Sequence, residues 1–114
     1  MTFRKLTPNL VVRDVAASAE FYRSMFGMKV DKTVPEAAPY LFASMVSGSV
    51  EIFLNDQQFV AKEFPAIAGP PLGGTLTLYI EVEDVRRLHD EVLAKGATVT
   101  MPLTDQFYGM REFA

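Results

Sequence analysis

The sequence contains no cysteine and a single histidine among its 114 residues. Without cysteine the chain can form no disulfide, hold no metal through thiolates and use no cysteine nucleophile. Acidic residues outnumber lysine and arginine by 14 to 11, so no excess of positive charge is present to bind a phosphate backbone. We therefore expect no nucleic-acid partner.

Long hydrophobic runs are also missing. No apolar stretch approaches the roughly 20 residues that a membrane-spanning helix needs. The first nine residues, MTFRKLTPN, contain no sustained apolar core, and this predicts that there is no signal peptide. We expect a cytoplasmic protein with no membrane partner. Hydrophobic residues make up 49% of the chain and charged residues 22%, which is typical of a globular protein and predicts one domain over residues 1–114.

The most informative feature that is present is an internal repeat. Residues 10–15 (LVVRDV) and 80–85 (IEVEDV) each join an alternating apolar run to an aspartate at the start of a helical pattern. Asp14 and Asp84 are the expected N-caps. Gly27 then ends the first helix and Gly96 the second. The repeat predicts module one at residues 1–55, a connector at residues 56–74 and module two at residues 75–114.

Alternating apolar and polar residues predict the strands around these helices. In module one they are residues 6–13, 28–34, 40–47 and 50–55, which gives the order β-α-β-β-β. In module two they are residues 75–83 and 97–103 and a strand that begins at residue 111. The predicted fold class is α+β, and module two is expected to lack its last strand. The connector has no clean period and is rich in proline and glycine, so we expect an irregular lid or arm.

Family resemblance rests on three stretches of the chain. The first is residues 10–15 followed by Ser18, Phe21, Tyr22 and residues 26–30. The second is residues 79–85 leading to residues 95–97, and the third is residues 108–113. With these motifs the chain resembles the vicinal oxygen chelate superfamily, which includes glyoxalase I, extradiol dioxygenases and the bleomycin and fosfomycin resistance proteins. The resemblance implies two modules that form an open cup-like mixed sheet, a ligand held in the cup, and a homodimer.

The resemblance also bears on metal binding. Metal-using members carry one ligand on the first strand of each module and a glutamate on the last strand of each. The corresponding first-strand residues here are Thr7 and Thr77, and neutral hydroxyls are poor replacements for imidazole or carboxylate. Glu51 is the only candidate metal ligand. We therefore predict no cofactor, with a divalent metal as the alternative.

Candidate ligand-binding residues are the polar and aromatic side chains that would line the cup. They are Thr7, Asn9, Phe42, Glu51, Phe53, Thr77, Tyr79, Tyr108 and Arg111. Most have a structural alternative: a solvated carboxylate for Glu51, cross-strand hydrogen bonds for the polar strand residues, core packing for some of the aromatic rings, and a salt bridge with Glu112 or another acid for Arg111. The polar strand residues meant here are Thr7, Asn9, Thr77 and Tyr79. No catalytic residue can be assigned from the sequence.

These observations predict a small-molecule binding protein of the glyoxalase/bleomycin-resistance type without the usual metal site. One alternative is a metal-dependent lyase, isomerase or dioxygenase whose remaining ligands lie outside this chain. A second alternative is a structural or regulatory dimer.

Overall fold

The computed structural model describes residues Met1–Ala114, which form two compact units, Met1–Thr75 and Leu76–Ala114. In the first unit, helix α1 (Val15–Phe26) begins and ends where the sequence predicts. The Asp14 carboxylate accepts a hydrogen bond from the backbone N–H of Ala17 at 3.0 Å, which satisfies a donor that the first turn leaves free. Gly27 ends the helix in the left-handed conformation, with φ of 68°, which glycine adopts without strain.

The sheet of the first unit has four strands. They are β1 (Asn9–Val12), β2 (Lys29–Val34), β3 (Phe42–Ser47) and β4 (Val50–Asp56). The spatial order is β1-β4-β3-β2, with β1 parallel to β4 and the other two pairs antiparallel. The predicted α+β class is confirmed, and α1 with β1 to β4 follows the β-α-β-β-β order predicted for module one. The late start of β1 agrees with Pro8, which cannot donate to a strand ladder.

Helix α1 covers one face of this sheet. Ala43, Met45 and Leu54 have no solvent exposure, and Ile52 retains 3%. Val15 of α1 is 1% exposed, and α1 contacts both β3 and β4. These apolar side chains form the core of the first unit, because alternation along each strand sends every second residue to the helix side.

The predicted irregular connector contains regular structure, which corrects the sequence interpretation. Residues Gln57–Glu63 form helix α2, and Pro65–Ile67 form one turn of 3₁₀ helix. The Asp56 carboxylate accepts from the N–H groups of Gln58 and Phe59, both at 3.0 Å. At seven residues α2 is too short for a helical period to be recognised, although the capping aspartate was a usable signal.

The second unit contains helix α3 (Val85–Ala94), capped by Asp84, and a short hairpin. The hairpin pairs β5 (Thr104–Asp105) with β6 (Arg111–Glu112). None of the helices in the chain has both the length and the apolar character needed to cross a membrane.

Two predicted strands of the second unit do not form. Residues 76–83 have no strand partner, whereas their counterpart β1 is held by backbone hydrogen bonds to β4. An alternating pattern alone does not make a strand, because each strand needs a neighbour to pair its backbone groups. Residues 97–103 make only isolated backbone bonds, such as the one from Ala114 N–H to the Met101 carbonyl at 3.0 Å. The strand expected from residue 111 is limited to Arg111–Glu112.

Candidate functional site

A row of aromatic and polar side chains lies on the face of the first sheet opposite α1. On β4 the half-buried Glu51, Phe53 and Asn55 alternate with the buried Ile52 and Leu54. Since successive side chains of a strand point to opposite faces, the first three share the face that α1 does not cover. We call this surface the open face.

Two aromatic rings lie together on the open face. Phe42 of β3 and Phe53 of β4 have ring centroids 5.1 Å apart and planes inclined by 62°, an edge-to-face arrangement. Both side chains are half-buried. They present a partly accessible aromatic surface within the sheet.

A pair of amide side chains borders this aromatic surface. Asn9 lies opposite Phe53 in the parallel pairing of β1 with β4, and Asn55 lies opposite Phe42 in the pairing of β4 with β3. The Asn55 amide nitrogen donates a hydrogen bond to the Asn9 side-chain oxygen. The two amides therefore form one polar group next to the two rings.

An ion pair lies at the other end of the row. The Lys5 ammonium nitrogen is 2.5 Å from a carboxylate oxygen of Glu51, whose side chain is only 18% exposed against 61% for the lysine. The sequence allowed a solvated carboxylate or a ligand anchor at this position. In the structure this carboxylate is paired with a lysine of the same chain.

The donor set does not fit the metal centre that the family resemblance implies. Thr7 is half-buried and lies two residues before β1, and Thr77 is exposed on the unpaired segment of the second unit. Glu51 is engaged by Lys5. No group of three or more histidine, aspartate or glutamate side chains lies close enough to hold a metal ion. A divalent site normally uses three or four such donors, so we derive no metal-dependent step from these residues.

In the second unit, Arg111 forms the salt bridge that the sequence left as one alternative, with Asp105 as its partner. The guanidinium Nε and Nη2 lie 2.6 and 3.1 Å from the two carboxylate oxygens. This two-point hydrogen bonding lowers the pKa of Asp105 and raises the pKa of Arg111. Both residues line an open depression of about 560 Å³ together with Gln106, Gly109 and Met110.

The two predicted tyrosines converge on one carboxylate of β6. The Tyr108 hydroxyl donates to Glu112. A hydrogen bond to the same carboxylate is the main cause that raises the pKa of Tyr79, because it stabilises the protonated phenol. Tyr79 and Tyr108 are both exposed. Three of the four predicted residues in the second unit thus make polar contacts within the hairpin region.

Removal of the Arg111 guanidinium gives a direct test of the Asp105 pair. In Arg111→Gln we expect the pKa of Asp105 to rise towards its ordinary value, as measured by NMR titration of the carboxyl carbon. Because the pKa of Asp105 is lowered in the folded state, the ion pair stabilises the fold fully at pH values above the unfolded-state pKa, which is about 4. This stabilisation is lost as the pH falls through the folded-state pKa. Arg87→Gln, which removes a similar exposed pair with Glu91, should leave Asp105 unchanged. An unaltered Asp105 titration in Arg111→Gln would contradict this assignment.

Four residues that complete these groups were not predicted from the sequence. Asn55 shares the alternation of Glu51 and Phe53 and could have been placed on the same face. Lys5, 46 residues from Glu51, left no local signal, because its contact depends on how the chain folds back. Asp105 and Glu112 lie on the two strands of the hairpin, so their contacts were also set by pairing that the sequence did not reveal.

Comparison with known proteins gives consistent matches. The family model described as the Glyoxalase/Bleomycin resistance protein/Dioxygenase superfamily matches residues 6–114. The uncharacterized proteins Mb0911c of Mycobacterium bovis and Rv0887c of Mycobacterium tuberculosis are each 30% identical over 108 residues, or 93% of this chain. The chain spans 71% of the length of the first and 64% of the second.

A solved structure of similar fold agrees with the described architecture. A glyoxalase/bleomycin resistance protein/dioxygenase from Nocardioides superposes with a TM-score of 0.74 at 24% identity, covering 97% of this chain and 75% of that one. At this identity the likeness shows a shared fold. Since the family model covers nearly the whole chain, the protein belongs to the glyoxalase/bleomycin resistance protein/dioxygenase superfamily.

Proposed function

We propose that this chain is a small-molecule binding protein of the glyoxalase/bleomycin-resistance type, and that it binds its ligand on the open face without a metal ion. The observation that carries the proposal is the half-buried pair of Phe42 and Phe53 between two polar groups. Small-molecule sites are typically apolar surfaces with a few polar groups that orient the ligand. The amide pair of Asn9 and Asn55 supplies such a group here.

The absence of a fitting donor set supports binding over metal-dependent catalysis. Glu51 is engaged by Lys5, and the family's first-strand ligand positions carry threonine. Metal analysis of the purified protein tests this part of the proposal. A stoichiometric divalent ion would instead support the lyase, isomerase or dioxygenase alternative.

The homodimer belongs to the same proposal and rests on the family membership, because paired subunits are usual in such proteins. Size-exclusion chromatography with light scattering measures the molar mass. A monomeric mass at micromolar concentration would contradict the proposed homodimer.

Ligand binding is tested with bleomycin, catechol and 2-naphthol as probes in two-dimensional NMR titrations of the isotope-labelled chain. We expect at least one probe to shift the backbone amides of β4 and β1. Phe53→Ala should weaken that binding by about tenfold, because it removes half of the aromatic surface. Phe53→Leu keeps much of the apolar volume and should show a smaller loss.

Phe21→Ala is the matched control. Phe21 lies on α1, on the other side of the sheet, and is 47% exposed. It should bind the probe like the unaltered chain. The proposal fails if no probe shifts the β4 amides, or if the Phe53 and Phe21 variants lose affinity equally.

A further inference from the structure

We infer that the open face selects neutral, planar aromatic ligands that carry a carboxamide or lactam group. This inference rests on the proposed function and names its ligand class. It follows from the hydrogen-bonding capacity that remains on Asn9 and Asn55, from their position beside two phenyl rings, and from the neutralised charge of Glu51.

The amide pair leaves one donor group and one acceptor atom free. Its single hydrogen bond uses an N–H of Asn55 and the side-chain oxygen of Asn9. The Asn9 amino group and the Asn55 oxygen remain for a third partner. If both amides are rotated, the bond runs the other way and the same capacity remains. A carboxamide or lactam offers the complementary acceptor and donor, both attached to one carbonyl carbon.

The rings lie where they can hold the rest of such a ligand. Asn9 lies directly opposite Phe53 across the β1–β4 pair, and Asn55 follows Phe53 by two residues, about 7 Å along β4. Phe42 lies directly opposite Asn55 across the β4–β3 pair. A planar ring on the two phenyl groups therefore places its polar substituent beside the amides.

Hydrogen-bonding capacity disfavours an anionic ligand beside the Asn55 oxygen. Glu51 and Lys5 neutralise each other, so no unpaired cation lies in the row along β4. Outside that row, the cation Arg13 directly follows the end of β1. A carboxylate beside the Asn55 oxygen would bring two acceptor groups together, whereas a neutral amide offers both a donor and an acceptor and gains two hydrogen bonds.

Three probes with the same naphthalene ring system, 2-naphthamide, 2-naphthoate and 2-naphthol, test the inference by NMR titration. We expect 2-naphthamide to bind about tenfold more tightly than 2-naphthoate and to shift the side-chain NH₂ signals of Asn9 and Asn55. Asn9→Asp keeps an oxygen that can accept from Asn55 but removes the free donor. It should weaken 2-naphthamide binding by about tenfold while changing 2-naphthol binding less. Gln57→Glu, the same amide-to-carboxylate change on α2, should alter neither.

The possible outcomes separate this inference from the proposed function. If 2-naphthol shifts the β4 amides but the amide probe shows no advantage over the carboxylate, the ligand class is wrong and the binding function stands. Unchanged 2-naphthamide affinity in Asn9→Asp also overturns the inference. If none of the three probes shifts the β4 amides, the inference is overturned. The proposed function is overturned as well only if bleomycin and catechol also fail to shift them.

Discussion

Replacing Leu54 by alanine is expected to lower the free energy of unfolding by about 2–5 kcal/mol. Leu54 has no solvent exposure and lies on the central strand β4, with Leu10 of β1 and Ala43 of β3 as its direct neighbours. The truncation removes buried methyl groups and leaves a cavity that paired strands on both sides cannot close by moving. Urea denaturation followed by circular dichroism measures the loss.

Val50→Ala is the control on the same strand. Val50 begins β4 and is 37% exposed, so its truncation should cost less than about 1 kcal/mol. The two variants have similar chemistry and differ chiefly in burial. An equal loss in both would show that the core of the first unit is not centred on Leu54.

Replacing Val92 by aspartate is expected to cost about 3–5 kcal/mol, because it places an unpaired carboxylate in an apolar environment. Val92 is 2% exposed and is the buried apolar residue of α3. Burial raises the pKa of such a carboxyl. The loss in free energy of unfolding is therefore smallest below about pH 4, where the carboxyl is protonated in both states, and it grows as the pH rises. Denaturation at several pH values measures both effects.

Leu93→Asp separates burial from the charge itself. Leu93 is the next residue of the same helix and is 50% exposed. Both substitutions put a negative charge near the C-terminal end of α3, where the helix dipole disfavours it to a similar degree. We expect Leu93→Asp to cost about 1 kcal/mol or less and to show little pH dependence. Equal costs for the two variants would contradict the assigned burial of Val92.

Local rules predicted much of the first unit. Asp14 and Gly27 marked both ends of α1, because capping and the left-handed exit depend on neighbouring residues. The hairpin between β3 and β4 was visible from Gly48, which has φ of 55° in the turn. Residues 76–83 carry an equally good pattern and still form no strand, since strand formation depends on a partner elsewhere in the chain.

The candidate site was predicted only in part, for the same physical reason. Alternation placed Glu51 and Phe53 on one strand face, and the register of β4 agrees. Partners came from distant segments: Lys5 for Glu51, and Asn55 for Asn9, each separated by 46 residues. A side chain that already has a partner in the same chain has less hydrogen-bonding capacity left for a ligand.

The sequence by itself determined the family, the α+β class, the N-caps of α1 and α3, and the threonines at the two first-strand ligand positions of the family. Each of these depends on residue identity or on spacing within a few positions. Only the tertiary structure decided which polar groups remain available to a ligand: it engaged Glu51 with Lys5 and Arg111 with Asp105, and left one donor and one acceptor on the amide pair. Hydrogen-bonding capacity is consumed by contacts between residues far apart in sequence, so it can be counted only once the chain is folded.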